Sequence, residues 1–294
     1  MIIDQTSVVL ITGASSGIGA SLAVLCAARG ATVVLVARRA DRLAAVADAV
    51  RIAGGTAVVI VADVSSEKDC DRVVRTTLEQ AGTVDVLVNN AGRGNCASVE
   101  DTTTVQLQSI MSLNVFALFW LTGRVLPIMK ARNSGSIITV SSVAGKMGFP
   151  FNAAYVAAKH AAVGFTAGLR AELMATNIHA TVVCPDGVTT EWGMATEGSP
   201  IGELFVKGIR KSKRFAQDLG RPLPPLKHMI SADDAAQVIF DTVEAGRSND
   251  VYTHDGSREQ TIAVATDRMV QEDAMAPLYL GMNEAYQELT TQQT

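Results

Sequence analysis

Residues 7–30 read "SVVLITGASSGIGASLAVLCAARG". A short apolar, β-branched run ending at Thr12 gives way to Gly13, Gly17 and Gly19, and these to an Ala- and Leu-rich stretch. The pattern is strand, glycine turn, helix. Glycines at such a junction permit a tight turn and let backbone N–H groups approach an anion at a positive helix N-terminus. The spacing is GxxxGxG, and a glycine turn alone can be merely structural. Its place, opening a strand–helix–strand unit at the first strand, gives it weight.

The same rhythm runs outward along the chain. "ATVVLVA" is followed by "ADRLAAVADAVRIAGG", "TAVVIVAD" by "SEKDCDRVVRTTLEQAG", and "VDVLVNNAG" by a long segment from Asp101 to Arg132. "GSIITVSS", "IHATVVCP" and "NDVYTH" complete seven strand-like runs. Continuous apolar strands alternating with helices predict a parallel sheet covered on both faces. Right-handed crossovers make it an α/β, doubly wound, Rossmann-like domain of about seven strands. No linker divides residues 1–254, which are read as one nucleotide-binding catalytic domain. Residues 186–230, with Pro200, Pro222, Pro224 and Pro225, fall outside the rhythm. They follow the carboxyl end of the sixth strand, where ligands bind in such sheets, and are expected to form a lid. The tail, 255–294, is expected to contain two helical pieces separated near Pro277, packed on the same domain or on a neighbouring subunit.

Composition narrows the function. The 294 residues are 48% hydrophobic and 18% charged, with a net charge of −4, which suits a large core and gives no sign of a nucleic-acid or anionic-membrane partner. Cys26, Cys70, Cys96 and Cys184 are scattered without metal-ligand spacing, so no metal site is expected and a reducing cytoplasm is. The N-terminus lacks a basic leader and enters an apolar strand at once, which predicts no targeting segment. Thr122, Gly123 and Arg124 interrupt "NVFALFWLTGRVLPIM", which predicts a buried helix and no membrane span.

At the end of the second strand, where a carboxylate would hold the ribose hydroxyls of NAD, the chain has Ala37, Arg38 and Arg39. Two guanidiniums without an acid favour a 2′-phosphate, hence NADP(H) over NAD(H). One charge-assisted contact is worth about 1.5–3 kcal/mol, roughly a 10- to 100-fold preference. The alternative is two solvated arginines at a helix start.

Further on, Tyr155 and Lys159 stand four apart on an Ala-rich helical stretch and share a face. Ser142 leaves the end of the fifth strand, at the ligand-bearing edge. A ketone being reduced needs a proton on oxygen as hydride reaches carbon. Tyrosine, with a pKa near 10, needs about 4 kcal/mol of phenolate stabilisation to reach 7. One cation at about 4 Å supplies that order of energy at an effective dielectric of 20, and Lys159 is placed to be that cation. Ser142 can donate to the developing oxyanion. A core tyrosine with an unrelated lysine one turn on is the plainer alternative.

"TGASSGIG" at 12–19, "ADV" at 62–64, "NNAG" at 89–92, Asn114, Ser142 and "YVAAK" at 155–159 occur together in order. In these motifs the chain resembles the short-chain dehydrogenase/reductase family, over roughly residues 7–190. The resemblance implies an oxidoreductase with a catalytic tetrad of Asn114, Ser142, Tyr155 and Lys159, Asn114 holding a water in a proton relay. It implies cofactor contacts from Gly13, Ser15, Ser16, Gly17, Ile18 and Gly19, from Asp63 and Val64 at the adenine, and from Asn90, Ala91 and Gly92. Lys159 and Tyr155 would reach the nicotinamide ribose, and Pro185, Val188 and Thr190 the nicotinamide. One position departs from the family: Asp186 follows Pro185, where Pro-Gly is usual, so its carboxylate could face the pyrophosphate, the carboxamide or the substrate.

The expected reaction is interconversion of a hydrophobic ketone and a secondary alcohol. The alternatives are a nucleotide sensor without turnover and an epimerase or dehydratase of the same family. Met147, Phe149 and Trp192, with Phe151, Met194, Leu204 and Phe205, are expected to wall the substrate. Lys207, Arg210, Lys211, Lys213 and Arg214 read either as a solvated helix face or as a dock for an anionic handle, which would make the substrate a β-ketoacyl thioester. Helices apolar on more than one face, "NVFALFW" and "AAVGFTAGL", predict a homodimer or homotetramer.

Overall fold

A computed structural model describes residues 1–223 and 226–291. Pro224 and Pro225 of the proline-rich segment and residues 292–294 of the tail lie outside the described residues. Seven parallel strands form one sheet: β1 (Val8–Thr12), β2 (Thr32–Ala37), β3 (Thr56–Val61), β4 (Val86–Asn89), β5 (Gly135–Val140), β6 (Ile178–Cys184) and β7 (Asp250–Tyr252). Their order is β7-β6-β5-β4-β1-β2-β3. The chain therefore reverses its direction of winding between β1 and β4, which register Val9 against Val86 and Ile11 against Val88. In such sheets the ligand crevice lies at this switch point, outside the carboxyl ends of the strands.

The uninterrupted apolar strands are explained by burial on both faces. Side chains alternate along a strand, so Val9, Ile11, Val33 and Leu35 enter one core while Val8, Leu10, Val34 and Val36 enter the other. Helices α1 (Gly17–Ala27) and α2 (Ala40–Ile52) close the first core together with α9 (Ala232–Ala245). The second is closed by α3 (Glu67–Ala81), α5 (Ala117–Arg132) and α6 (Ala153–Glu172). Helix α4 (Thr104–Met111) begins at a capping box, where Thr103 and Gln106 satisfy each other's backbone N–H groups, and joins α5 through a π-turn at Ser112–Phe116. This continuous stretch, Thr104–Arg132, is the one described helix long and apolar enough to cross a membrane. Here it is a wall of the second core, with Leu121, Val125 and Met129 fully buried.

The 186–230 segment is more regular than its prolines suggest. It contains the one-turn helix α7 (Trp192–Ala195) and the long helix α8 (Ile201–Leu219), and two short parallel ladders tie it down: Val188–Thr189 with Ile230–Ser231, and Asn95–Cys96 with Glu197–Gly198. In the tail, α10 (Ser257–Thr266) and α11 (Arg268–Thr291) are separated at Asp267, which corrects the break expected near Pro277. Pro277 lies inside α11. Proline removes the N–H that would bond the carbonyl four residues back, but Arg221 donates to that carbonyl, Asp273 O, at 2.7 Å. Helix α11 lies along α8 of the same chain, where a Cβ at Gly281 would collide with the Gly208 carbonyl.

Candidate active site

The crevice is built from the strand ends. Gly13 and Gly17 adopt φ of +66° and +55°, a region open to glycine but strained for other residues. A Cβ at Gly19 would come within 2.6 Å of the Asn90 amide nitrogen. Asn90, just past β4, donates to Thr12 O at 2.8 Å, and the Asn90 and Ala91 N–H groups both donate to the Thr12 hydroxyl at 3.0 Å. The first and fourth strand ends are thereby locked together. Thr12 was not anticipated in this role; its position just before the first glycine was the only signal. Ser16 caps α1 without a side-chain hydrogen bond to it, so the first-turn amides are free to meet an anion. Ile18 packs toward the first core.

The Ser15 and Ser16 hydroxyls are engaged instead by Arg39, at 3.0 and 2.6 Å. Arg39 also pairs with Glu191 at 2.9 Å, and Arg42 reaches the same carboxylate at 3.4 Å. Arg38 is more exposed and stands 3.8 Å from Asp63. The Asp63 carboxylate accepts from the Ser65 N–H at 3.0 Å, a local turn, while Val64 is buried. Arg42 and Glu191 escaped the sequence reading because nothing in the local pattern brings residues so far apart together.

Tyr155 and Lys159 lie on α6 as expected, both buried. Burial pushes the Tyr155 hydroxyl up to about 12, an effect opposed by the neighbouring Ser142 hydroxyl. It pushes Lys159 down to about 8. The lysine ammonium donates to Val140 O at 2.9 Å and sits 5.6 Å from the centre of the tyrosine ring. The expected depression of the tyrosine is therefore not a property of the chain alone, because removal from water outweighs the Ser142 hydrogen bond. Ser142 leaves β5 in extended conformation, half-buried, its oxygen accepting from the Ala144 N–H at 3.1 Å.

Asn114 sits in the π-turn between α4 and α5, a distortion frequent at functional sites. Its amide nitrogen donates to Ile110 O at 3.0 Å and Arg93 O at 3.2 Å, while its buried Oδ1 has no partner among the described residues. A Cβ at Gly92 would stand 2.7 Å from that oxygen and 3.3 Å from the Lys159 nitrogen, so Gly92 keeps open the space where the two approach. An orphaned buried acceptor beside an ammonium group suits a bridging water.

The expected walls divide. Trp192 stands over Tyr155 with ring centres 5.2 Å apart, and Phe149 packs against the same cluster. Met147 is buried in the loop between β5 and α6. Phe151 instead stacks on Tyr286 of α11 at 3.9 Å, and Leu204 and Phe205 face the tail helix, not the tyrosine. Met194 is 81% exposed and walls nothing. Tyr279 of α11 donates to Gly148 O at 2.9 Å, so the tail secures the loop that carries Phe149.

The Asp186 carboxylate accepts from Ser257 at 3.0 Å, at the first turn of α10, and is thus turned toward the tail. Pro185 O accepts from Val143 N–H at 2.9 Å, and Thr190 lies against Gly17; Val188 pairs with Ile230. Three of the five residues of the basic run are paired within the molecule: Lys211 and Arg214 with Glu284 of α11, and Lys207 with Glu203.

Comparison with known proteins agrees with this architecture. The short chain dehydrogenase family pattern matches residues 7–199. Ketoacyl reductase HetN of Nostoc sp. is 38% identical over 208 residues, 71% of this chain and 72% of that one. The 3beta-hydroxysteroid dehydrogenase of Mediterraneibacter gnavus is 38% identical over 184 residues, 62% of this chain and 66% of that one. A short chain dehydrogenase/reductase from Burkholderia phymatum, solved in complex with NAD, superposes with a TM-score of 0.77 at 26% identity, covering 92% of this chain and 97% of that one. With its parallel sheet, its glycine crevice and these relatives, the chain belongs to the short chain dehydrogenase family of oxidoreductases acting on CH–OH and C=O groups.

Proposed function

We propose that this protein is an NADP(H)-dependent reductase, active in the cytoplasm, that interconverts a hydrophobic ketone and its secondary alcohol. The observation that carries this reading is the buried Tyr155–Lys159 pair beneath Trp192, with Ser142 alongside and the Asn114 oxygen without a partner among the described residues. The free amides at the start of α1 and the guanidiniums of Arg38 and Arg39 suit the pyrophosphate and the 2′-phosphate of the cofactor. Asp63, Val64, Asn90, Ala91 and Gly92 would line its nucleoside and ribose. When bound, it supplies or accepts the hydride. Tyr155 gives its phenolic proton to the carbonyl oxygen, Ser142 donates a hydrogen bond to that oxygen, and the Lys159 ammonium stabilises the phenolate left behind. Asn114 holds a water through Oδ1 beside Lys159, from which the proton is restored.

Free apolar ketones are favoured over acyl thioesters, because Trp192 and Phe149 beside Tyr155 are apolar and the basic run pairs three of its five cations with carboxylates of its own chain. A panel of aliphatic, alicyclic and steroid ketones, set against β-ketoacyl thioesters and followed by NADPH absorbance, tests this. Turnover of thioesters alone, with a KM rising steeply with salt, would reverse the substrate assignment. No NADPH consumption with any carbonyl would defeat the function itself.

Arg38→Ala/Arg39→Ala is expected to raise the KM for NADPH roughly 10- to 100-fold while leaving that for NADH nearly unchanged. Equal effects on both would mean that the arginines are surface charge only. We also expect a homodimer or homotetramer. Phe119 is 56% exposed, in edge-to-face contact with Phe165 of α6, and Phe116 is 44% exposed, so α5 and α6 present an apolar face away from the sheet. Light scattering at micromolar concentration should give at least twice the chain mass; a monomer would refute the assembly.

A further inference from the structure

Glu191 is the residue of this crevice with no role in the reading above, and its placement is specific. Its two carboxylate oxygens are shared between Arg39 at 2.9 Å and Arg42 at 3.4 Å. Arg39 is in turn fixed on the Ser15 and Ser16 hydroxyls of the glycine turn. Glu191 is not a loosely tethered side chain that happens to find a cation. It immediately precedes α7, whose Trp192 is held by the Thr190 hydroxyl at 3.2 Å and lies over Tyr155. The far end of the same short segment is secured by a second pair, Arg93 with Glu197 at 2.8 Å. The segment is anchored at both ends by arginine–carboxylate contacts, and this keeps the Glu191 anion at the arginines.

We propose that Glu191 is a specificity-determining residue that competes with the 2′-phosphate of the nucleotide for Arg39 and Arg42. This rests on the reading of the arginine cluster as a 2′-phosphate site. A carboxylate carries one negative charge and two acceptor oxygens. A phosphate monoester carries about −1.5 to −2 at pH 7 and three acceptor oxygens, so it can displace the carboxylate from the guanidiniums. A nucleotide without the phosphate leaves the Glu191 contacts in place. Glu191 therefore lowers affinity for the phosphorylated nucleotide and leaves the unphosphorylated one untouched. It narrows the preference that the arginines create.

The test is equilibrium binding to the full chain, by calorimetry, of adenosine 2′-monophosphate and adenosine 5′-monophosphate, then of NADP⁺ and NAD⁺. Glu191→Gln keeps the size of the side chain and removes its charge. It is expected to tighten adenosine 2′-monophosphate and NADP⁺ by about three- to tenfold, with adenosine 5′-monophosphate and NAD⁺ unchanged. Arg39→Ala should weaken the first two ligands only. If Arg39→Ala weakens them but Glu191→Gln leaves them unchanged or weakens them too, the competition is overturned while the phosphate site stands. If Arg39→Ala does not distinguish 2′- from 5′-phosphate, the phosphate site itself fails, and the competition with it.

Discussion

Tyr155→Phe is expected to reduce turnover by about 10²–10⁴-fold, the contribution of a positioned general acid, while nucleotide binding survives. The substitution removes one oxygen and keeps the ring that packs against Trp192 and the Ile110–Ala144–Ala154 cluster. Its effect should therefore fall on kcat, with melting temperature and nucleotide Kd close to those of the parent protein. Steady-state kinetics alongside nucleotide titration reads both quantities. Substantial residual turnover would remove Tyr155 from the chemistry.

Lys159→Met separates a functional from a structural lysine by a different signature. The ammonium lies 5.6 Å from the tyrosine ring, where a unit charge is worth about 3 kcal/mol to a phenolate at an effective dielectric of 20. Loss of roughly 100-fold in rate follows. Stability should move little. Burial lowers this lysine from 10.5 to about 8, a bias of about 3 kcal/mol against the cation that methionine relieves. The Val140 carbonyl loses its donor, a cost of about 1–3 kcal/mol in the opposite direction. The parent enzyme adds a pH signature. Lys159 is cationic below its pKa and neutral above it, so ketone reduction should be level well below pH 8 and fall through a midpoint at about 8. Tyr155, near 12, keeps its proton across that range. A decline that persists in Lys159→Met would assign the limb to another group.

The sequence yields the sheet and places the candidate cofactor and catalytic residues for physical reasons that can be named. Buried parallel strands need apolar residues on both faces, so β1, β2 and β4 stand out as apolar runs, and β5 and β6 as runs interrupted by Ser136, Thr139, His179 and Thr181. The glycine turn and the Tyr155/Lys159 spacing are local patterns, visible without knowing what surrounds them. What stayed hidden depends on partners distant in the chain. Arg221 supplies the hydrogen bond that lets Pro277 sit inside α11, and no window around Pro277 contains it. Glu284 neutralises Lys211 from 73 residues away, so a basic run that looked available is partly occupied. Phe151 was expected beside the substrate but turns to Tyr286, because the tail helix offers it a stacked ring. The high pKa of Tyr155 comes from how completely the fold excludes water, which composition does not encode.

The strand order also bears on how the chain acquires its shape during synthesis. β1 lies between β2 and β4, and the N–H of Val8 donates to the side chain of Asp85, 77 residues apart. Until that later segment leaves the ribosome, the β1–β2–β3 fragment carries an unpaired edge made of Val8, Val9, Leu10 and Ile11. An open, apolar strand edge is a template for pairing with other chains, and non-local parallel pairing is slow to form. The nascent chain is thus most vulnerable to aggregation before β4 arrives, and slowing translation just before Val86 should lower the yield of soluble protein more than an equal delay after Asn89.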